Sequence, residues 1–367
     1  MKHKNLSDVF GANPWGIKSK ILEINHDFTN IIGIDAGGTK TLIAHVDHSI
    51  VNRSVKRLNS ITCSGKIFYE GDKYSSLNEI IASYLNEYNI DSKETLVCIA
   101  GAGPVQNNSI KMSNRSWSIH SDEIENTFQF KKVYLINDLE AMIYSIDSVQ
   151  PDHLTTLNHG KKIQHGNIAV IAAGTGLGES IGVYVTQKNS IHAVSTEGGG
   201  CDFAPSNDFE IGLMKYLMQL KNHVSWEDVL SGNGLINIFK YLVASGSEIT
   251  PDTQKDMEIL NPAEVIAAKG LSNQDAVCRK ALETFVLIYA REAANLALKC
   301  LPCGGLYIAG GIAPKLSSLI QDKSFINQFF EKGKLKPVLE SIPVYLITNP
   351  DYGVIGAINY ALLNSPF

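Results

Sequence analysis

Residues 31–46 read IIGIDAGGTKTLIAHV, and residues 168–185 read IAVIAAGTGLGESIGVYV. Each is a short apolar run, a tight turn of glycine and threonine, and a second apolar run. Apolar runs of this length read as buried strands, so each stretch predicts a β-hairpin. A third variant, GGLYIAGGIAPKL, occupies Gly304–Leu316. The repetition matters because duplicated strand–glycine–strand hairpins facing each other can clamp a polyphosphate from two sides. In Asp35-Ala36-Gly37-Gly38-Thr39-Lys40 and Gly174-Thr175-Gly176-Leu177-Gly178, glycines let the chain approach a ligand closely. Successive backbone N–H groups in such turns make concave anion sites, and the Thr39 and Thr175 hydroxyls add donors. Taken singly, either turn also suits an ordinary hairpin, which favours Gly and Asp for its own reasons.

Neither turn is a P-loop, because GxxxxGK[ST] is absent. Neither is a dinucleotide fingerprint, which opens a helix after its strand; Thr41–Val46 (TLIAHV) continues as a second strand. The hairpin context points to an α/β protein of the duplicated, two-domain actin-like ATPase (ribonuclease H-like) architecture, in which the domains enclose ATP in an interdomain cleft.

The chain has 367 residues, 44% hydrophobic and 19% charged, with a net charge of −5. That is ample for about two domains with their own cores. A mildly acidic chain without a basic block argues against nucleic-acid binding. No apolar run reaches bilayer-spanning length. The first twenty residues, MKHKNLSDVFGANPWGIKSK, have basic residues but no apolar core, so they do not read as a secretory signal. The six cysteines are scattered, and Cys300-Leu301-Pro302-Cys303 has no second CxxC or CxxH to complete a zinc site. A cytoplasmic location follows most simply.

Residues 1–30 read as an N-terminal extension. The small α/β domain is expected over 31–148 plus 350–367, and the large one over 149–349. Leu77–Tyr88 has helical spacing, with Leu77, Ile80, Ile81 and Leu85 on one face. Leu96–Ala100 and Val133–Ile136 read as buried strands, with Asn137-Asp138 at the carboxyl end of the second and a helix beginning at Leu139. Ser148–His165 is polar and reads as a connector. Helices are expected over Phe209–Leu220, Trp226–Leu230, Gly234–Ala244, Pro262–Lys269, Asn273–Cys300 and Gly353–Leu363. Ile308–Ile312 reads as a strand passing into a helix, and Val344–Ile347 as a final strand.

Phosphoryl transfer needs a phosphate cradle, a metal, and a group that accepts the nucleophile's proton. Asp138, a carboxylate at a strand end facing a cleft, can be that base; it can equally cap the following helix. Asn137 can cap or hydrogen-bond a polyol. Glu197, ahead of Gly198-Gly199-Gly200, can reach a ligand with both oxygens, or simply precede a flexible turn. Glu227 taken alone is an ordinary helix-surface acid. Asp35 can steer Mg²⁺ through water, since magnesium keeps much of its hydration shell. Lys40 can pair with phosphate or stay solvated.

These residues together resemble the bacterial glucokinases of the hexokinase/actin-like superfamily, from about Ile31 to Leu363. The resemblance is carried by IGIDAGGTKTLIAHVD, SNRSWSI at 113–119, LINDLEA at 135–141, AAGTGLG at 172–178, EGGGCDFAP at 197–205, EDVLSGNGL at 227–235, LYIAGGIAPK at 306–315 and the GVIGAINY tail. It implies that Asp138 is the general base, and that Asn114, Asn137, Glu197 and Glu227 lie at the sugar hydroxyls. It places Asp35, Gly37, Gly38, Thr39, Lys40, Gly174, Thr175, Gly176 and Gly178 on phosphate and Mg²⁺, and Gly310 and Gly311 on the adenosine side. ATP and Mg²⁺ are the implied cofactors; homodimers are common in the family.

One position departs from the pattern. The family usually reads EGGH where this chain has Glu197-Gly198-Gly199-Gly200, so the sugar-contacting histidine is replaced by Gly200. The zinc-binding Cys/His motif of the related repressor–kinase family is also absent. The expected activity is ATP-dependent phosphorylation of a hexose, foremost glucose at its 6-hydroxyl. The alternatives are a kinase for another hexose or an amino sugar, or a sugar- or nucleotide-responsive protein with weak catalysis.

Overall fold

The hairpin expected over 31–46 forms as β1 (Asn30–Ala36) antiparallel to β2 (Lys40–Asp47), with Asn30 opposite Asp47 and Ala36 opposite Thr41. A computed structural model describes residues 28–38, 40–47, 63–112, 117–187, 190–349 and 351–365. Most of the extension expected over 1–30 lies outside the described residues, as do Thr39, Asn114 and Pro350. The first unit continues with β3 (Ser64–Glu70), α1 (Leu77–Tyr88) and β4 (Thr95–Gly101). Then come a small sheet of β5 (Val105–Gln106), β6 (Ser109–Lys111) and β7 (Ser118–His120), followed by α2 (Ser121–Phe128), β8 (Lys132–Asn137) and α3 (Asp138–Ser145). The main sheet runs β3-β2-β1-β4-β8, with β1, β4 and β8 parallel. All seven residues of β4 are buried, which is why it reads as an unbroken apolar run: helices cover both faces.

The second unit repeats that order. It comprises β9 (Leu154–Asn158), β10 (Ile168–Ala173), β11 (Leu177–Val185), β12 (Ser190–Thr196), α4 (Asp208–Met218), α5 (Gly232–Ala244), α6 (Pro251–Ile259), α7 (Pro262–Leu271) and α8 (Ala276–Cys300). It closes with β13 (Gly305–Ala309), α9 (Ser317–Ile320), α10 (Lys323–Phe330), α11 (Lys336–Glu340), β14 (Val344–Ile347) and α12 (Tyr352–Leu363). Its sheet runs β12-β11-β10-β13-β14-β9. An antiparallel hairpin followed by parallel strands thus occurs twice: β1-β2-β3 with β4 and β8, and β10-β11-β12 with β13 and β14. The strand β9 is an addition, antiparallel to β14.

Two helices lie between the sheets. On α12, Val354, Ala357, Ile358 and Ala361 pack with Ile31, Leu42, Leu96 and Cys98 of the first sheet. On α3, Ala141 joins that cluster, while Met142 and Ile143, with Ile146 just beyond the helix, pack with Ile168, Val170, Tyr307 and Ile347 of the second. The outer face of the first sheet is covered by Ile80, Tyr84 and Ile124 of α1 and α2. The outer face of the second is covered by α8, whose Phe285, Ile288, Tyr289 and Ala293 are fully buried. No described helix is long and apolar enough to cross a membrane.

Several expectations are corrected. Trp226–Leu230 is a turn, because the Asp228 carboxylate closes back on the Ser225 amide at 2.8 Å and hydroxyl at 2.9 Å, and Ser231 then caps a separate helix. The connector expected over Ser148–His165 contains the edge strand β9, whose half-buried LTTLN gives little alternation. The α3 helix starts at Asp138, one residue before Leu139. After β13 the chain turns at Gly310, whose φ of 87° no helix accepts, and becomes helical only at Ser317. In α1 the deeply buried residue is Tyr84, with Leu85 only partly buried; the Tyr84 hydroxyl donates to Gly65 O at 2.8 Å and pairs with His45 Nδ1 at 2.7 Å. The α6 helix has no apolar stripe, and only its Thr250 cap and Pro251 announce it.

The α3–α12 crossing is close enough to demand glycine. A Cβ added at Gly356 would collide with the Ala141 carbonyl oxygen, which is backbone and cannot swing away. Gly356→Ala would gain up to about 1 kcal/mol of helix propensity, whereas forcing two helices apart costs about 1–3 kcal/mol or more. The clash should win. Urea unfolding of Gly356→Ala should show a lower midpoint; an unchanged or raised midpoint would show that the two helices do not touch there.

Candidate active site

Ligands of α/β sheets collect at the carboxyl ends of parallel strands. Here those ends carry Gly37 and Gly38 after β1, Asn137 at the end of β8, Gly174 after β10 and Gly310 after β13. The layer of α3 and α12 turns the two sets toward each other. Leu139, in the first turn of α3, packs on the second glycine turn: a Cβ at Gly178 would lie 2.5 Å from Leu139 Cδ2. Gly174, Gly200 and Gly311 border open space, with nothing within 4 Å of an added Cβ.

The two roles left open at Asn137-Asp138 are divided between them. Asn137 is the cap: its Oδ1 accepts from Leu139 N at 2.9 Å, and Glu140 Oε2 accepts from Asn137 N at 3.1 Å, which is a capping box. Its Nδ2 donates to Gly103 O at 3.2 Å. Asp138 occupies the first helical position, with Oδ1 accepting from Leu139 N at 2.9 Å. Burial pushes the Asp138 carboxyl up to about 6; the Leu139 amide opposes this, and the charge of Glu197 adds to it. Asp35, the sixth residue of β1, is pushed up to about 7 by burial first, then by the charges of Asp138 and Asp351. Asp351 forms an ion pair with Lys66 of β3. Asp35, Asp138 and Glu197 are thus electrostatic neighbours, which no sequence spacing announces.

A divalent cation relieves such repulsion. Magnesium is typically held by one or two carboxylates, with phosphate and water supplying the other oxygens. Among the described residues no group of three or more His, Cys, Asp and Glu side chains could hold a metal ion. Asp35 would fit beside an ion whose other oxygens come from phosphate and water.

Glu197 precedes the 3-10 turn Gly198–Gly200, closed by Gly200 N donating to Glu197 O at 3.0 Å and Cys201 N to Gly198 O at 3.0 Å. Glu227 is exposed, as its sequence neighbourhood suggests, but it lies in a turn instead of a helix and is held there. Its N–H donates to Gly199 O at 2.9 Å, and its Oε2 accepts from Leu177 N at 2.9 Å. It ties the second glycine turn to the Gly198–Gly200 turn. That turn of glycine is closed by Gly174 N donating to Gly176 O at 2.8 Å, and Gly174 O accepts from Gly232 N at 2.9 Å; Thr175 sits at its tip. In the first turn Gly37 N donates to Lys40 O at 3.0 Å, and Lys40 is exposed. Gly310 presses on Ala173 O, 2.5 Å from where a Cβ would lie, so it carries the chain past the end of β10 in a left-handed conformation, while Gly311 next to it stays open.

The family model described as Glucokinase matches residues 32–364. A curated relative, the glucokinase of Nostoc punctiforme, is 36% identical over 343 residues, covering 90% of this chain and 98% of its own. Among solved structures, a glucokinase from an Antarctic psychrotroph aligns with a TM-score of 0.75 at 26% identity, covering 92% of this chain and 100% of its own. A ROK family glucokinase from Streptomyces griseus, solved with glucose and AMPPNP, aligns with a TM-score of 0.61 at 16% identity over 90% of this chain and 98% of its own, a likeness of fold alone. With glycine turns and acids gathered at the strand ends, a family match spanning nearly the whole chain means that this protein belongs to the glucokinase family.

Proposed function

We infer that the chain transfers the terminal phosphoryl group of ATP to the 6-hydroxyl of glucose. The observation that carries this reading is Asp138: a half-buried carboxyl whose pKa is pushed up to about 6, with capping of the helix left to Asn137, near both glycine turns. The hydroxyl proton passes to the Asp138 carboxylate as the hydroxyl oxygen attacks the γ-phosphorus, and the bond to the β–γ bridging oxygen breaks to release ADP. Backbone N–H groups of the turns around Gly37, Gly38 and Thr39, and Gly174, Thr175, Gly176 and Gly178, are the phosphate cradle, with Lys40 at the rim and Gly310 and Gly311 on the adenosine side. Mg²⁺ would neutralise phosphate charge there, and Asp35 would hold it through water. Glu197, Glu227 and Asn114 take the sugar hydroxyls. Asn137, whose amide is engaged by Leu139 and Gly103, serves foremost to orient Asp138.

The repeated strand order supports an actin-like, two-domain reading with the cleft between 31–148 plus 350–367 and 149–349. Closure of such a cleft keeps water from competing as phosphoryl acceptor. One observation favours a second substrate. Gly200 is exposed and opens onto empty space, so the pocket lacks the usual histidine and has room for a different hexose or an amino sugar.

Asp138→Asn keeps the shape and removes the base; kcat should fall by about 10²–10⁴-fold with the fold intact by circular dichroism. Near-normal turnover would leave Asp138 a structural residue. The active form of Asp138 is the carboxylate, so in the wild type kcat/KM should fall as pH drops through about 6. A profile flat down to pH 5 would remove Asp138 from the proton path.

In Gly200→His the new Cβ meets nothing within 4 Å and no unusual backbone is required. Restoring one hydrogen bond worth about 1 kcal/mol should lower the glucose KM about fivefold. A raised KM in a folded variant would make another sugar the better substrate.

A further inference from the structure

Behind the Glu197 turn lies a buried pair of acids. Glu179 of β11 is 2% exposed, and Glu292 of α8 is 0% exposed. Glu292 is well supplied with donors: Asn295 Nδ2 lies 2.7 Å from Oε2, and Lys299 Nζ lies 3.3 Å from Oε1. Glu179 is not, since its Oε1 is buried without a hydrogen-bond partner. Its Oε2 presses on Gly198, where an added Cβ would collide with it. The main chain of the same residue grips the same segment. Glu179 pairs with Thr196 in the β11–β12 ladder, its carbonyl accepts from Thr196 Oγ1 at 3.1 Å, and that hydroxyl accepts from Gly198 N at 3.2 Å. Glu179 therefore contacts the residues on both sides of Glu197, and it immediately follows Gly178 of the second glycine turn.

Two ionised carboxylates cannot hydrogen-bond to each other, but a neutral acid donates to its partner. The Glu179 and Glu292 carboxyls are hydrogen-bond neighbours, and burial followed by the Glu292 charge pushes Glu179 up to about 8. A proton shared with Glu292 would supply the donor that two carboxylates lack.

We propose that Glu179 is a positioning residue for hexose binding: as a neutral acid bonded to Glu292 it supports the Gly198–Gly200 turn from beneath, and its ionisation loosens the turn that aims Glu197. This rests on Glu197 being a sugar ligand. The other charged or titratable groups facing the pair are Lys299, Tyr289 and Cys300 on α8, and Lys332 beyond α10. Burial raises Tyr289 and pushes Cys300 up to about 12, and Lys299 is held cationic by Glu292 and Glu179, so none of the three changes charge near pH 8. Lys332, lowered by burial, remains in every variant below and so serves as its own control. Because the folded-state pKa of Glu179 is raised, the support is complete at low pH and is lost as pH rises through about 8.

The test is glucose KM and kcat at saturating ATP from pH 6.5 to 9.5. In the wild type, KM should stay level to about 8 and then rise by up to about tenfold per pH unit, with kcat changing much less. Glu179→Gln should abolish the rise, because its amide donates to Glu292 at every pH. Glu179→Ala should raise KM throughout; if it does not fold, wild type against Glu179→Gln decides. A wild-type KM flat to pH 9.5, or a Glu179→Gln profile that follows the wild type, overturns the proposal. Glu197→Gln in parallel separates the two readings: if it leaves glucose KM unchanged, the sugar assignment of Glu197 has failed, whatever Glu179 does.

Discussion

The site depends on two helices packed back to back between two sheets. Each sheet carries a glycine turn at the carboxyl ends of its parallel strands, but one sheet alone offers half of the site. The α3–α12 layer makes the halves face each other, and it is thin because Gly356 lets α12 lie against the Ala141 carbonyl. The same α3 carries Asp138 on its first turn, Ala141 toward one sheet and Met142 and Ile143 toward the other. The helix that spaces the sheets therefore also delivers the carboxyl to the place between them.

Gathering acids there works against stability. Asp35 is raised to about 7 by burial and then by the charges of Asp138 and Asp351, and Asp138 to about 6 by burial and then by the charge of Glu197. A carboxyl whose folded pKa exceeds its unfolded value stabilises the fold at low pH, and that contribution is lost as pH rises through the folded value. Near neutrality both groups are therefore held partly against their preference for the neutral form. Strain of this kind is expected where a base must be poised near working pH.

Around this centre, support is provided by residues that touch the turns rather than the cleft. Glu227 ties two turns through one amide and one carboxylate oxygen. Asn137 spends its side chain on the α3 cap and on Gly103, so Asp138 beside it need not cap. The open space at Gly200 stands in contrast, a gap in the wall among otherwise braced turns.

Much of the architecture was legible in one dimension. Local rules govern the hairpins, the strands at Leu96–Ala100, Val133–Ile136 and Val344–Ile347, and the long helix ending at Cys300, because apolar periodicity and glycine turns act over a few residues. What local signals misjudged were choices between equal local options. A carboxylate hydrogen bond from Asp228 turned Trp226–Leu230 into a turn, and pairing with β14 made an edge strand of Leu154–Asn158. The sequence alone determined the repeated hairpins, the identity of Asp138 as an acid at a strand end, and the departure at Gly200. Only the tertiary structure decided that Asn137 caps, that Glu227 bridges two turns, and that Glu179 meets Glu292 over a separation of more than one hundred residues. Those outcomes depend on burial and on charges brought together by the α3–α12 layer and by α8, and electrostatic energy is set by distance in space, not by spacing along the chain.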